Sequence, residues 1–166
     1  SARWDTTWIS FSSSPPIAHG ERLWLYYEDR SASHGQVYPF PRGYIGLATL
    51  RLDGFASIDA GPCWGHLTTK PFEWPGGDLA VNVNAKAAAG VTDGGQSAGS
   101  TVVEILSQDG SVVEGMDRDS CEPFTGNSTE HKFVWNTGKT MRNLTGTKVK
   151  IRFHLLNSQL SAYRAA

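Results

Sequence analysis

The sequence predicts an all-β chain: an antiparallel β-sandwich, jelly-roll-like, over residues 51–166, preceded by an N-terminal β-hairpin or extended segment over residues 1–50. Three observations carry this. Lys148 to Leu155 alternates without interruption, with Val149, Ile151, Phe153 and Leu155 on one face and Lys148, Lys150, Arg152 and His154 on the other. That is the pattern of an antiparallel strand with one face in a core and one in water. Eighteen Gly and eight Pro supply the frequent turns that short strands need. No segment sustains a helical period.

The elements follow in order. Residues 1–20 hold Trp4, Trp8 and Phe11, then Ser12-Ser13-Ser14-Pro15-Pro16; the double proline enforces extended chain and blocks helix. Leu23-Trp24-Leu25-Tyr26-Tyr27 is a strand by its aromatic content. Glu28 to Arg42 reads as a loop. Residues 44–51 form the next strand, and Asp53-Gly54 marks a tight turn. The run from Tyr44 to Phe55 therefore reads as a seam between an aromatic segment too short for its own core and a complete sandwich. Phe55 to Ile58 is a short strand. Thr68 to Gly77 is a proline-broken loop.

Leu79, Val81 and Val83 alternate with Ala80, Asn82 and Asn84. Residues 85–100 are rich in Ala, Gly and Ser and read as a long mobile loop. Val102 to Leu106 is apolar enough for a strand buried on both sides. Gln108-Asp109-Gly110-Ser111 turns into Val112-Val113. His131 to Trp135 and Gln159 to Tyr163 complete a set of about eight strands, the number of a sandwich or jelly roll.

Composition narrows the function. The chain is 39% hydrophobic and 19% charged with a net charge of -1, which argues against nucleic acid as a partner. No apolar run approaches the roughly 18 residues of a membrane span. With no initiator Met, the sequence reads as starting at a processed, trimmed or cloned end. Asn127-Ser128-Thr129 and Asn143-Leu144-Thr145 are sequons in polar, turn-like sequence, which places Asn127 and Asn143 as N-glycosylation candidates. Cys63 and Cys121 can form one intrachain bridge, worth about 4 kcal/mol by chain entropy; the alternative is two free, buried thiols. Sequons, a possible bridge and only two Met together predict a secreted, extracellular protein.

Several stretches resemble a known family. They are Ser14-Pro15-Pro16, Leu23 to Tyr27, His34, Ile45-Gly46-Leu47-Ala48-Thr49-Leu50-Arg51 with Asp53-Gly54-Phe55, Leu67 to Phe72, and Arg152-Phe153 with Leu155. The chain resembles the C-terminal region of secreted proteins related to invertase- and arabinanase-type glycosidases, in which a five-bladed β-propeller precedes a β-sandwich. The resemblance implies that residues 1–50 correspond to a last propeller blade and residues 51–166 to the sandwich. It implies a carbohydrate context, with His34 near a funnel mouth. The other four blades, and the acidic residues expected to hydrolyse the bond, have no counterpart in this sequence.

Candidate sites follow from chemistry. Glycoside hydrolysis needs two carboxyl groups across one bond; Glu28, Asp29, Glu73 and Asp78 are the candidates. Glu28 and Asp29 are adjacent and point to opposite faces of a strand, so no catalytic residue is assigned. Holding a glycan needs flat aromatic faces beside planar polar groups. Trp64 and Trp74 lead, followed by Trp24, Tyr26, Tyr27 and Tyr44. Asp117 and Asp119, with Ser120 and Glu122, offer oxygens for a structural Ca²⁺ or simply close an Asx turn. His19, His66, His131 and His154 lack zinc spacing with the cysteines.

Two functions compete. One is a non-catalytic sandwich module of a carbohydrate-active protein, structural and glycan-binding. The other is a glycosylated fibre subunit in which Trp4, Trp8, Trp24 and Tyr27 lie on strands that complete a neighbouring protomer. A hydrolase in its own right is the weakest reading.

Overall fold

The computed structural model describes residues 8–12, 14–31, 43–86 and 99–166. Trp4, His34 and residues 87–98 of the Ala/Gly/Ser-rich stretch lie outside them. The chain is all-β, with one 3-10 turn at Met141–Leu144 among the described residues. It divides into two compact units, Ser1–Leu52 and Asp53–Ala166. The division falls at the expected turn, where Asp53 adopts φ 51°, a left-handed conformation that Asp tolerates better than most residues.

The first unit is an antiparallel sheet built on β3 (Arg22–Arg30). β4 (Gly43–Arg51) pairs with β3 along its whole length. On the other edge, β1 (Trp8–Phe11) and β2 (Ile17–His19) take opposite halves of β3. They read as one strand interrupted at Pro15-Pro16, because proline cannot donate to a ladder. Gly20 opens the two-residue turn from β2 to β3 at φ 59°, as primed hairpin turns require. Gly46 lies beneath the Tyr27 ring, where a Cβ would overlap it. The aromatic ring covers the gap that a glycine leaves in a strand.

The second unit is a sandwich of two antiparallel sheets. One has the order β10–β8–β12–β5, formed by Asn127–Lys132, Leu79–Asn84, Ser158–Ala165 and Ile58–Ala60. In the other, β11 (Lys148–Leu156) pairs on one side with β9 (Ser100–Ser107) and on the other with β6 (Gly65–Thr68) and β7 (Phe72–Glu73). β6 and β7 again form one interrupted strand, broken at Pro71. The Thr69 hydroxyl bridges the break by accepting the Ile151 N–H at 3.0 Å.

Consecutive strands change sheet from β5 to β6, β7 to β8, β8 to β9, and onward to β12. That alternation is jelly-roll topology. The segment after the Gln108–Ser111 turn runs back beside β9, through bridges Leu106–Val112 and Thr101–Phe124.

The core lies between the sheets. Leu79, Val81, Val83 and Leu160 of one sheet meet Val103, Ile105, Val149, Ile151, Phe153 and Leu155 of the other. Phe153 reaches across to Tyr163, with ring centroids 5.4 Å apart. β11 shows the alternation expected of it, and β9 is buried on both faces.

β8 is buried on both faces; its outer residues Ala80 and Asn82 lie among Thr129, Ala162 and Arg164 of neighbouring strands. Three expectations need correction. Glu28 to Arg30, read from the sequence as the start of a loop, extend β3. The strand expected at Phe55–Ile58 is Ile58–Ala60, and Phe55 is exposed. The strand expected at His131–Trp135 is Asn127–Lys132, with a bulge between Ser128 and His131; Phe133 and Trp135 are buried beyond its end.

Candidate functional site

The outer face of the β9–β11–β6 sheet carries a continuous polar and aromatic stripe. Strand register builds it. β11 presents Arg152 and His154 outward. Their direct partners are Glu104 and Val102 on β9, and Thr68 and His66 on β6. Trp64 immediately precedes β6 and extends the His66–Thr68 face by one more alternate position.

Glu104 anchors the stripe. It is 7% exposed, which an outward-facing carboxylate tolerates only when paired. One oxygen, Oε1, accepts from Arg152 Nη1 at 2.7 Å and lies 3.2 Å from His154 Nε2. Arg152 also donates through Nε to Thr68 Oγ1 at 3.0 Å. His66 stands 6.2 Å from His154, ring to ring. At the far end Trp64 is 44% exposed, and the Arg118 guanidinium lies 4.4 Å from its ring centroid, a cation–π geometry. The arrangement offers an open indole face and several N–H donors on a rigid sheet. Such a surface can hold a ligand. It places no acid and base across a bond.

The other candidates separate. Trp74 is a correction: it is 1% exposed in the core cluster, and its ring N–H donates to the Gly77 carbonyl at 3.2 Å. The loop expected around it contributes β7, which carries Phe72, and Trp74 follows directly after it into the core. Trp24 meets His19 at a tilt, ring centroids 4.5 Å apart, and the Arg30 guanidinium lies 5.0 Å from the Trp8 ring centroid. Tyr26 lines an open groove with Phe11, Ile17, Glu28 and Ile45. Tyr44 is exposed, and Tyr27 meets Phe11 edge-on at 6.4 Å.

Among the carboxylates, Glu28 pairs with Arg30 at 2.6 Å. Asp29 is buried on the opposite face of β3, and its Oδ1 has no hydrogen-bond partner among the described residues. Asp78 is held by Arg142 at 2.7 Å and Lys132 at 3.2 Å, and hydrogen bonds from both keep its carboxyl far below the usual range. Glu73 is exposed on β7.

Asp117 closes a turn. Oδ1 accepts the backbone N–H groups of Asp119 and Ser120, and Oδ2 accepts the Ser120 hydroxyl. Among the described residues, no group of three or more His, Cys, Asp or Glu side chains has metal-binding geometry. Asn127 and Asn143 are both exposed, and Asn143 Oδ1 accepts the Thr140 N–H that opens the 3-10 turn.

The cysteine bridge is also a correction, since both cysteines are free. Cys121 points into the core, where Sγ accepts the Val103 N–H at 3.3 Å, while Cys63 lies exposed before Trp64. Burial pushes the Cys121 thiol up to about 11, where thiolate is scarce at neutral pH. A thiol-reactive dye at pH 8 is therefore expected to label one cysteine of the folded chain and two in denaturant. A bridged pair would give none in either.

Two histidines are held below their ordinary value of 6.5, chiefly by burial. His131 stacks on Phe124 at 4.0 Å, and His154 sits in the Glu104 stripe. Both take up a proton less readily in the fold than in the unfolded chain, which protonates near 6.5, so unfolding takes up protons around and below that pH. Tm is expected to hold above about pH 6.5 and to fall as the pH drops below it. His131→Phe should flatten the fall; an unchanged slope would rule out His131 as a contributor.

Compared with protein-family models, with curated proteins and with solved structures, the chain matches none. No helix among the described residues is long and apolar enough to cross a membrane.

Proposed function

We propose that this chain is a non-catalytic, extracellular β-sandwich module of a carbohydrate-active protein related to the invertase- and arabinanase-type glycosidases. The observation that carries the reading is the open Trp64 ring with Arg118 against it, at the end of a stripe of ordered polar groups on a rigid sheet. Flat aromatic faces beside planar polar partners are what a pyranose or furanose ring needs. The described carboxylates support the non-catalytic part, because Glu28 and Asp78 are tied to cations and Asp29 faces away from Glu28. The resemblance in the seam sequence supports the carbohydrate context. A single site of this kind binds at around millimolar, about -4.1 kcal/mol. Affinity electrophoresis of the full chain in gels containing soluble polysaccharides tests it. Retardation that disappears with Trp64→Ala is expected; unchanged mobility of the parent chain in every gel would overturn glycan binding.

A second reading has its own observation. β4 pairs with β3 alone among the described residues, and Ile9, Phe11, Ile17, Tyr44, Ile45 and Leu47 of the first unit are exposed. An open edge with apolar faces is a template for strand addition. On this reading the protein is a glycosylated fibre subunit whose N-terminal strands complete a neighbouring protomer. Native mass by light scattering separates the two: a monomer at high concentration removes the fibre reading, and a polymer favours it.

A further inference from the structure

We infer that the saccharide held at Trp64 is an acidic one, a chain whose sugars carry a carboxylate or a sulfate. The inference rests on the carbohydrate reading above and deepens it. A neutral sugar presents hydroxyls that both donate and accept, so it is recognised by a mixture of donors and acceptors. The stripe beside Trp64 supplies donors almost alone. Arg118 carries a guanidinium with no carboxylate in ion-pair range among the described residues. Arg152 spends two of its nitrogens on Glu104 and Thr68, and its side chain remains 33% exposed. His66 is exposed two residues along β6 from Thr68, opposite His154.

Thr68 Oγ1, Glu104 Oε1 and both Asp117 oxygens are already engaged. Glu104 gives Oε1 to Arg152 and His154 and is buried, and the Thr68 hydroxyl accepts from Arg152. Asp117, beside Arg118 in the chain, turns both oxygens into its own loop. Asp119 is exposed to water, where its charge is screened. A donor-rich face around an indole is complementary to an acceptor-only anion. Arg118, 4.4 Å from the Trp64 ring centroid, is within reach of the acid group of a sugar whose ring lies on the same indole.

The test is calorimetric titration of the full chain, at one fixed ionic strength, with three hexasaccharides. One is a galacturonate hexamer, one a sulfated galactose hexamer and one a neutral galactose hexamer. One of the two acidic chains is expected to bind about tenfold tighter than the neutral one, and which of them does so identifies the acid group. Arg118→Gln should erase that preference, bringing acidic and neutral chains to equal affinity. Lys139→Gln, a charge loss on an exposed loop elsewhere, should change nothing. Equal binding of neutral and acidic hexamers would overturn the inference and leave the carbohydrate reading standing. Binding of none would overturn both. An acidic preference that survives Arg118→Gln, or that Lys139→Gln reduces equally, would show diffuse charge attraction and also overturn it.

Discussion

Trp74→Ala is expected to cost about 3–5 kcal/mol of unfolding free energy and to leave saccharide affinity, per folded molecule, unchanged. The ring is sealed in the core, meets Phe72 at 6.2 Å and satisfies its own N–H on Gly77. The backbone on either side is tied as well. The Trp74 N–H donates to Thr147 and its carbonyl accepts from Gly146. Truncation opens a cavity that a clamped chain cannot close, so the loss should sit at the high end of the range for aromatic deletions. Urea denaturation read by far-UV circular dichroism gives the number. Trp64→Ala supplies the contrast, with little effect on stability and loss of binding. A stability change below about 1 kcal/mol for Trp74→Ala would mean that the ring is not enclosed in solution.

Phe153→Ala is expected to cost a similar amount, about 3–5 kcal/mol, for a different reason. Phe153 is fully buried at the middle of β11, where β6 and β9 pair on either side. Its ring also reaches Tyr163 on the opposite sheet. Its removal unpacks both layers at one point. Phe153→Leu, which keeps much of the volume, should recover a large part of the loss. Phe55→Ala, at a ring 69% exposed, should stay within about 0.5 kcal/mol of the parent. If Phe55→Ala and Phe153→Ala were equally damaging, the inside and outside of the sandwich would have been assigned wrongly.

Residue pattern made much of this fold readable. β11 was legible because strict alternation at Lys148–Leu155 has only one extended solution. β3 was legible because five consecutive strand-forming residues sit at Leu23–Tyr27. Interrupted strands were not. β1 with β2, and β6 with β7, are each broken by proline, and a short apolar run beside Pro looks like loop. β7 shows the consequence: Phe72 and Trp74 alternate inward, but two residues of strand carry too little pattern to say so. β10 was displaced because Asn127 to Lys132 is polar on both faces, while the bulky Phe133 and Trp135 lie just beyond it.

The site was readable only at its exposed end. Trp64 stands out by residue type. His66 and Glu104 come together through pairings between strands far apart in the chain, and Arg118 reaches Trp64 from a turn; composition reports neither. The one available signal was the outer face of β11, where Arg152 and His154 alternate with core residues. The cysteines misled because count and separation cannot show which way a thiol points.

The placement of β11 and β12 has a consequence for how the sandwich is made. β12 lies between β8 and β5, and β11 lies between β9 and the β6–β7 strand, so each sheet is threaded last at its interior and not at its rim. During synthesis β5 to β10 emerge without the strands that join them. β8 and β9, which carry much of the core, must therefore wait for Lys148–Ala165 before their central neighbours are in place. Closure pairs distant segments, a topology that folds slowly, and leaves apolar strands open in the meantime. A nascent chain stalled before Lys148 should be a client for holding chaperones. A chain released after Ala165 should not.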